Sequence, residues 1–336
     1  MRFIASVLLV IFVSVSAVLA QSNEVKYLLD TTIAIMKSNA VNRDKVDWTK
    51  IEQNVNSQIA GKENAYQLGP VFRMLFQSIN DFHGAFYCWD SEYRWHRPEP
   101  EYSDSIKNEW KKGVFLRKKI LQGNIGYLRV PYMSFDERPI LDQKAQSLND
   151  SLCSLLDQDV AGIVLDLRLN SGGAMYPMML GLEQLLHDGK IGSFETKESE
   201  SWIIKDRGFY LDTMLLTSII PKCRSINKDI PVAVLIGPAT GSSGEFLAIA
   251  FKKRKNTIFI GTETAGYITT TRGFKIKDYV SILLSVGYGR DRTGEIYEQA
   301  LSPDIYLNEP DSFNDIKNDK KVLAAIQWIK SKKQAE

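Results

Sequence analysis

The sequence predicts an α/β layer fold with a largely parallel sheet, preceded by a small helical domain. Three observations predict it. From Gly113 onward, short apolar runs with strand character recur at Val114–Leu116, Ile125–Val130, Gly162–Leu167, Val232–Ile236 and Ile258–Ile260. Helical patterns fall between them, at Gln143–Leu156, Met175–His187 and Gly244–Lys253, and strands alternating with helices pair side by side in parallel. Before Gly113 the texture differs: over residues 24–80, Leu28, Leu29, Ile33, Ile35 and Met36, then Val71, Met74 and Leu75, recur at near-helical spacing.

In chain order, the N-terminus opens with Arg2, a nearly continuous apolar run from Phe3 to Val13, and small residues ending at Ala20. That is the layout of a cleaved secretory leader over residues 1–20 and implies a secreted or periplasmic protein. As a membrane anchor the run is marginal, because a span needs about 20 apolar residues. No later run is long and apolar enough to span. Residues 21–85 read as the helical N-terminal domain. Residues 86–112 read as an aromatic linker, since Trp89, Trp95, Pro98 and Pro100 suit an irregular loop. Residues 113–310 read as the α/β core, with hairpin-like strands at Gly273–Ile276 and Tyr279–Tyr288. Residues 311–336 read as a docking segment, because Val322, Ala325, Ile326 and Ile329 share one helical face.

The 336 residues carry 42 Lys and Arg against 40 Asp and Glu, a net charge of +2. So even a balance gives no electrostatic case for nucleic acid. Three cysteines, Cys88, Cys153 and Cys223, exclude a disulfide-dense scaffold; one bridge is possible in an oxidising compartment, its pairing open. Three scattered histidines are too few for a zinc set, and no cofactor is required.

The chemistry centres on Ile230–Phe246, where a buried strand runs through Gly-Pro into a small-residue turn and then a helix. Ser242 and Ser243 sit at that turn. Unpaired N–H groups at a helix start favour negative charge, so a serine there can attack a carbonyl while neighbouring amides hold the oxyanion. Ser242-Ser243-Gly244-Glu245 equally fits a helix capping box. A second turn, Asn170-Ser171-Gly172-Gly173, follows the strand Gly162–Leu167, and its paired glycines permit close approach of another chain. Ligands bind at such strand ends in parallel sheets, although a plain βα turn reads the same way. A serine nucleophile needs a base. His187 lies late in a helix and His96 stands between Arg94 and Arg97 without an orienting carboxylate. His83, in Asp81-Phe82-His83-Gly84, is left as the candidate, against the alternative of an ordinary loop histidine.

Four segments together resemble the C-terminal processing (tail-specific) serine peptidases, in the lysine-independent branch that includes the tricorn core protease. DFHG at 81–84 is similar to that branch's D-x-H segment, and NIGYLRVPYMSF at 124–135 to the strand opening the core. DLRLNSGG at 166–173 is similar to the oxyanion turn, and GPATGSSGEF at 237–246 to the nucleophile turn. The resemblance implies a crotonase/Clp-like core. It implies Ser242 as nucleophile, Ser243 as one oxyanion donor, and Gly172 or Gly173 as the other, with Gly172 preferred. In the Ser–Lys branch a lysine follows a G-x-x-T-x-G turn; here Tyr267 follows Gly261–Gly266, which leaves His83 as base. The branch completes its site with an acid near a Pro-Asp pair, which implies Glu298, or else Glu295, ahead of Pro303-Asp304. About 30 residues separate His83 from Gly113, too few for the PDZ domain many relatives carry.

The expectation is therefore a secreted serine peptidase that cleaves a peptide or protein substrate through a Ser242 acyl-enzyme, without a metal or cofactor. No stable membrane span is expected once the leader is cleaved, and the oligomeric state is left open. The same scaffold could instead serve a non-catalytic peptide- or lipid-binding protein. An acyl-thioester enzyme on a related fold is disfavoured by the leader, because coenzyme A substrates are intracellular.

Overall fold

Chain contacts sort the protein into two compact units in the computed structural model, which describes residues 23–59, 61–98, 100–223 and 229–333. One unit takes the chain up to Glu99 together with Thr270–Gly287; the other takes Pro100–Thr269 and Tyr288–Glu336. The leader expected over 1–20 lies outside the described residues.

In the first unit, residues 23–39 are helical and bury Val25, Leu28, Leu29, Ile33 and Met36 on one face. The helix Trp48–Gln58 starts where the Asp47 side chain accepts the Lys50 N–H. The helix Gly69–Ser78 starts with Pro70 in its first turn and buries Val71, Phe72, Leu75 and Phe76. Beyond these helices the first unit also carries strands. The strand Ala85–Cys88 pairs antiparallel with Ser91–Tyr93 on one side and with Val280–Leu283 on the other. Phe86 stacks on Phe72, its ring centre 3.5 Å away. The aromatic stretch read as irregular thus begins as a hairpin, turning at Trp89 with φ 50°, and later carries the helix Asp104–Lys112.

In the second unit, six strands form a sheet in the order Ile305–Tyr306, Thr257–Gly261, Val232–Ile236, Ile163–Asp166, Ile125–Arg129 and Arg117–Leu121. Neighbours run parallel except the last pair. The three central strands are buried along their whole length, which is why they read as continuous apolar runs. Alternate side chains serve opposite faces. Ile163, Leu165, Val232 and Val234 pack with the helices Arg138–Leu156, Met175–Gly181 and Ser243–Phe251. Val164, Ala233 and Leu235 pack under the C-terminal helix Lys320–Lys333 through Val322, Ala325, Ile326 and Ile329.

The expectation of a largely parallel sheet needs correcting. The strands Gly189–Glu195, Glu200–Lys205, Gly208–Leu211 and Met214–Ser218 form an antiparallel meander, and Tyr288–Asp291 adds to its first strand antiparallel as well. The reason is connection length: tight turns can join only antiparallel neighbours. Asp206 and Arg207 both take positive φ, 49° and 63°, the backbone that hairpin turns require. Cys153 and Cys223 form a disulfide, and Cys88 is free and buried. Among the described residues, no helix is long and apolar enough to cross a membrane.

Candidate active site

The strand Val232–Ile236 ends in a turn that its own polar groups fasten to the neighbouring strand. Thr240 accepts the Gly237 N–H at 3.1 Å and donates its hydroxyl to the Leu167 carbonyl at 2.8 Å. Gly241 N–H donates to the Asn170 carbonyl at 3.0 Å, so the two glycine-bearing turns are bonded to each other. Ser242 then takes φ 51°, ψ −120°, and the helix begins at Ser243. A residue that merely caps a helix sits in the extended region. For a residue with a side chain the conformation seen here costs about 1–3 kcal/mol and is found chiefly at functional positions. A strained strand-to-helix turn of this kind lifts a serine hydroxyl clear of the sheet. Ser242 is correspondingly half-buried while Gly241 and Ser243 are buried.

The Gly-Gly turn lies directly against this serine. A Cβ on Gly172, at φ 114°, would fall 2.9 Å from Ser242 Cβ and 3.0 Å from Ser243 N. Gly172 donates its own N–H to Asn170 Oδ1 at 3.0 Å. Gly173 is fixed differently. Its carbonyl accepts the Ser243 hydroxyl, and Met133 bridges alongside through Met133 N–H to Gly172 O at 3.2 Å and Ala174 N–H to Met133 O at 2.7 Å. Among the described residues, neither the Gly173 N–H nor the Ser243 N–H donates to a protein acceptor. Two backbone donors beside a half-buried serine side chain are the kind of arrangement able to receive a developing oxyanion.

Two buried networks hold these turns, and of their bonds only the Ser242–Glu245 capping contact is anticipated from sequence. Glu245 is wholly buried, and its carboxylate accepts the Ser242 N–H at 2.9 Å, the Thr264 hydroxyl at 2.5 Å and the Gly266 N–H at 2.7 Å. Burial pushes its carboxyl up to about 7 against the pull of these donors and of the Tyr267 N–H. Beneath the Gly-Gly turn, the Arg168 guanidinium forks onto Asp166 at 3.0 and 2.7 Å and reaches Asp311 and Asp319 at 2.7 and 2.8 Å. Asp319 also receives the first N–H groups of the C-terminal helix. Burial raises the Asp166 carboxyl, but Arg168, Arg129 and the Tyr127 hydroxyl outweigh it and hold it at about 2. The signal was available: a charged pair inside an otherwise apolar strand end has to be buried and therefore paired.

The remaining expected residues fall as follows. His83 belongs to the first unit, Ser242 to the second. His83 is half-buried, with its N–H on Asp81 Oδ1 at 3.1 Å and its carbonyl on Arg94 at 2.9 Å. Asp81 is buried and also binds Ser285 N–H and hydroxyl, so the loop backbone is firmly anchored. His187 ends its helix, as read, at φ 68°, and His96 is exposed. Glu298 is exposed, and Glu295 pairs with Lys253 at 2.9 Å. Among the described residues no cluster suited to a metal ion occurs.

Fold and site together define an α/β protein with a strained serine at a strand-to-helix turn, faced by a glycine turn. Comparison with known proteins gives the same direction. The model of Peptidase family S41 matches residues 124–307. The chain is 30% identical over 232 residues to the nisin-resistance protein of Lactococcus lactis subsp. lactis, covering 69% of this chain and 68% of that one. It is 25% identical over 191 residues to a carboxy-terminal-processing protease of Bartonella bacilliformis, covering 56% of this chain and 40% of that one. A lipoprotein from Streptococcus agalactiae superposes with a TM-score of 0.65 at 18% identity, over 90% of this chain and 95% of that one, a likeness of fold. The chain belongs to peptidase family S41.

Proposed function

We propose that the protein is a serine peptidase of the cell envelope or exterior, with Ser242 as nucleophile and His83 as general base. The observation that carries this reading is Ser242 at φ 51° between strand and helix, flanked by the uncommitted N–H groups of Ser243 and Gly173. In the first step the Ser242 oxygen bonds to the substrate carbonyl carbon as its proton passes to the His83 imidazole. The carbonyl electrons move onto oxygen, which the two N–H groups receive. Collapse breaks the C–N bond, and the departing amine takes the proton from His83. Water, deprotonated by the same imidazole, then releases the acid and restores the serine. Of the two glycines, Gly173 suits the donor role better, since the Gly172 N–H is already on Asn170. Glu298 supports the hydroxyl or the imidazole, with Glu295 disfavoured by its pairing to Lys253. No step draws on a metal or cofactor.

The substrate is a peptide or protein, as family membership implies. We read the second unit as a crotonase/Clp-like core. The Cys153–Cys223 disulfide supports an oxidising compartment, in line with the leader-like N-terminus. The test is peptidase activity of Ser242→Ala beside wild type: loss of at least about a thousandfold supports the reading. Full activity in the variant refutes it, and peptide binding by an inactive wild type would indicate a binding protein.

A further inference from the structure

We propose that Glu245 is a positioning residue that, as an anion, holds Ser242 in its attacking conformation, so that protonation of this one carboxylate switches the nucleophile turn off. The inference rests on Ser242 being the nucleophile. A strained residue persists only where its surroundings over-determine it, and Ser242 has φ 51° with its N–H fastened to Glu245 Oε2 at 2.9 Å. The other carboxylate oxygen receives Thr264 Oγ1 at 2.5 Å and Gly266 N–H at 2.7 Å, and the Tyr267 N–H contributes as well. One side chain thus clamps the start of the helix Ser243–Phe251 to the segment that follows the strand Thr257–Gly261.

All of these partners donate. An ionised carboxylate offers about four acceptor positions, and the four donors match them. A protonated carboxyl carries a hydrogen that must itself find an acceptor. Three of its neighbours are backbone N–H groups and cannot accept. The fourth, the Thr264 hydroxyl, already accepts the Leu301 N–H at 2.8 Å, so turning it round strands its own proton in a buried site. Protonation therefore breaks the clamp instead of tightening it. No charged side chain is among the main influences on Glu245, from its own helix or from residues 264–267. Burial outweighs the opposing pull of the four donors and places the switch near neutral pH, at about 7.

The experiment follows labelling of Ser242 by a fluorophosphonate probe across pH in the full chain, for wild type, Glu245→Gln and Thr264→Val. Two groups must lose protons in wild type, His83 and Glu245, so the rate should fall toward acid with a limiting two-proton slope. Glu245→Gln should lose roughly 100-fold in maximal rate through misplacement of the serine, and its slope should drop to one proton. Thr264→Val removes a bond that favours the anion, so its acid limb should move to higher pH. A purely structural role for Glu245 would lower thermal stability without changing slope or limb. Wild-type rate and a two-proton slope in Glu245→Gln would overturn the proposal, as would an unmoved limb in Thr264→Val. Should Glu245→Gln show no cooperative thermal transition, Thr264→Val decides alone. Absence of any Ser242 labelling in wild type at every pH would instead remove the nucleophile reading, and this inference with it.

Discussion

Substituting Gly173 by alanine probes the oxyanion turn where its geometry is least forgiving. A Cβ there would lie 1.9 Å from the Met133 carbonyl oxygen, whereas ordinary contact begins at 3.4 Å, so turn and bridge must part by about 1.5 Å. The residue also holds φ 89°, which costs alanine about 1–3 kcal/mol. Relief would strain the two bridge hydrogen bonds at 3.2 and 2.7 Å, each worth about 1 kcal/mol. The expected loss of stability is therefore about 3–5 kcal/mol, read by urea denaturation. A displacement of more than 1 Å at a reacting centre costs about 100-fold in rate, or about 2.7 kcal/mol in barrier. Labelling of Ser242 by a fluorophosphonate should slow by at least that factor under conditions where the variant is still folded. Gly273→Ala, with no atom within 4 Å of its new methyl, should match wild type in both assays. A folded Gly173→Ala protein that labels within about fivefold of wild type would refute the assignment of this turn to the oxyanion.

Other expectations follow from the buried charges and the disulfide. Arg168→Met leaves Asp166 and Asp319 buried without their cation and should cost about 3–5 kcal/mol in urea unfolding. Asp166 is held at about 2 against an ordinary 3.8, so its roughly 2 kcal/mol of stability is full above pH 3.8 and lost as pH falls through about 2. Glu245 acts oppositely: raised from 4.5 to about 7, it contributes roughly 3 kcal/mol below pH 4.5 that is lost as pH rises through 7. These two groups place maximal stability near pH 4 to 4.5, acid of the pH at which the serine is most reactive, and melting curves across pH would show it. Reduction of Cys153–Cys223, which closes a 70-residue separation, should cost about 4 kcal/mol, seen as a lower urea midpoint with reductant present.

The central sheet was legible because strands buried on both faces are written in apolar residues alone, as in Val232–Ile236 and Ile163–Asp166. The meander over Gly189–Ser218 was not, because its strands are short and partly exposed and its turn reads Asp206-Arg207 in place of an Asn-Gly signal. The strand pairs that complete the first unit were hidden for another reason. Residues 280–283 come almost 200 positions after Ala85–Cys88, and no local pattern reports so distant a pairing. At the site, Ser242 and the two glycine turns could be found from spacing and motif. Glu245 was visible too, yet local reading gave it the modest task of capping a helix. That bond exists, but its other acceptor positions serve Thr264 and Gly266, far along the chain. Arg168 was similarly disguised, since its partners Asp311 and Asp319 lie more than 140 residues downstream.

The most direct test is to treat the wild-type chain with a fluorophosphonate, locate the adduct by peptide mass spectrometry, and repeat with His83→Ala. The account predicts one adduct, on Ser242, and labelling slowed by about 1,000-fold or more in His83→Ala. An adduct elsewhere, or a His83→Ala protein that labels at the wild-type rate, would contradict it.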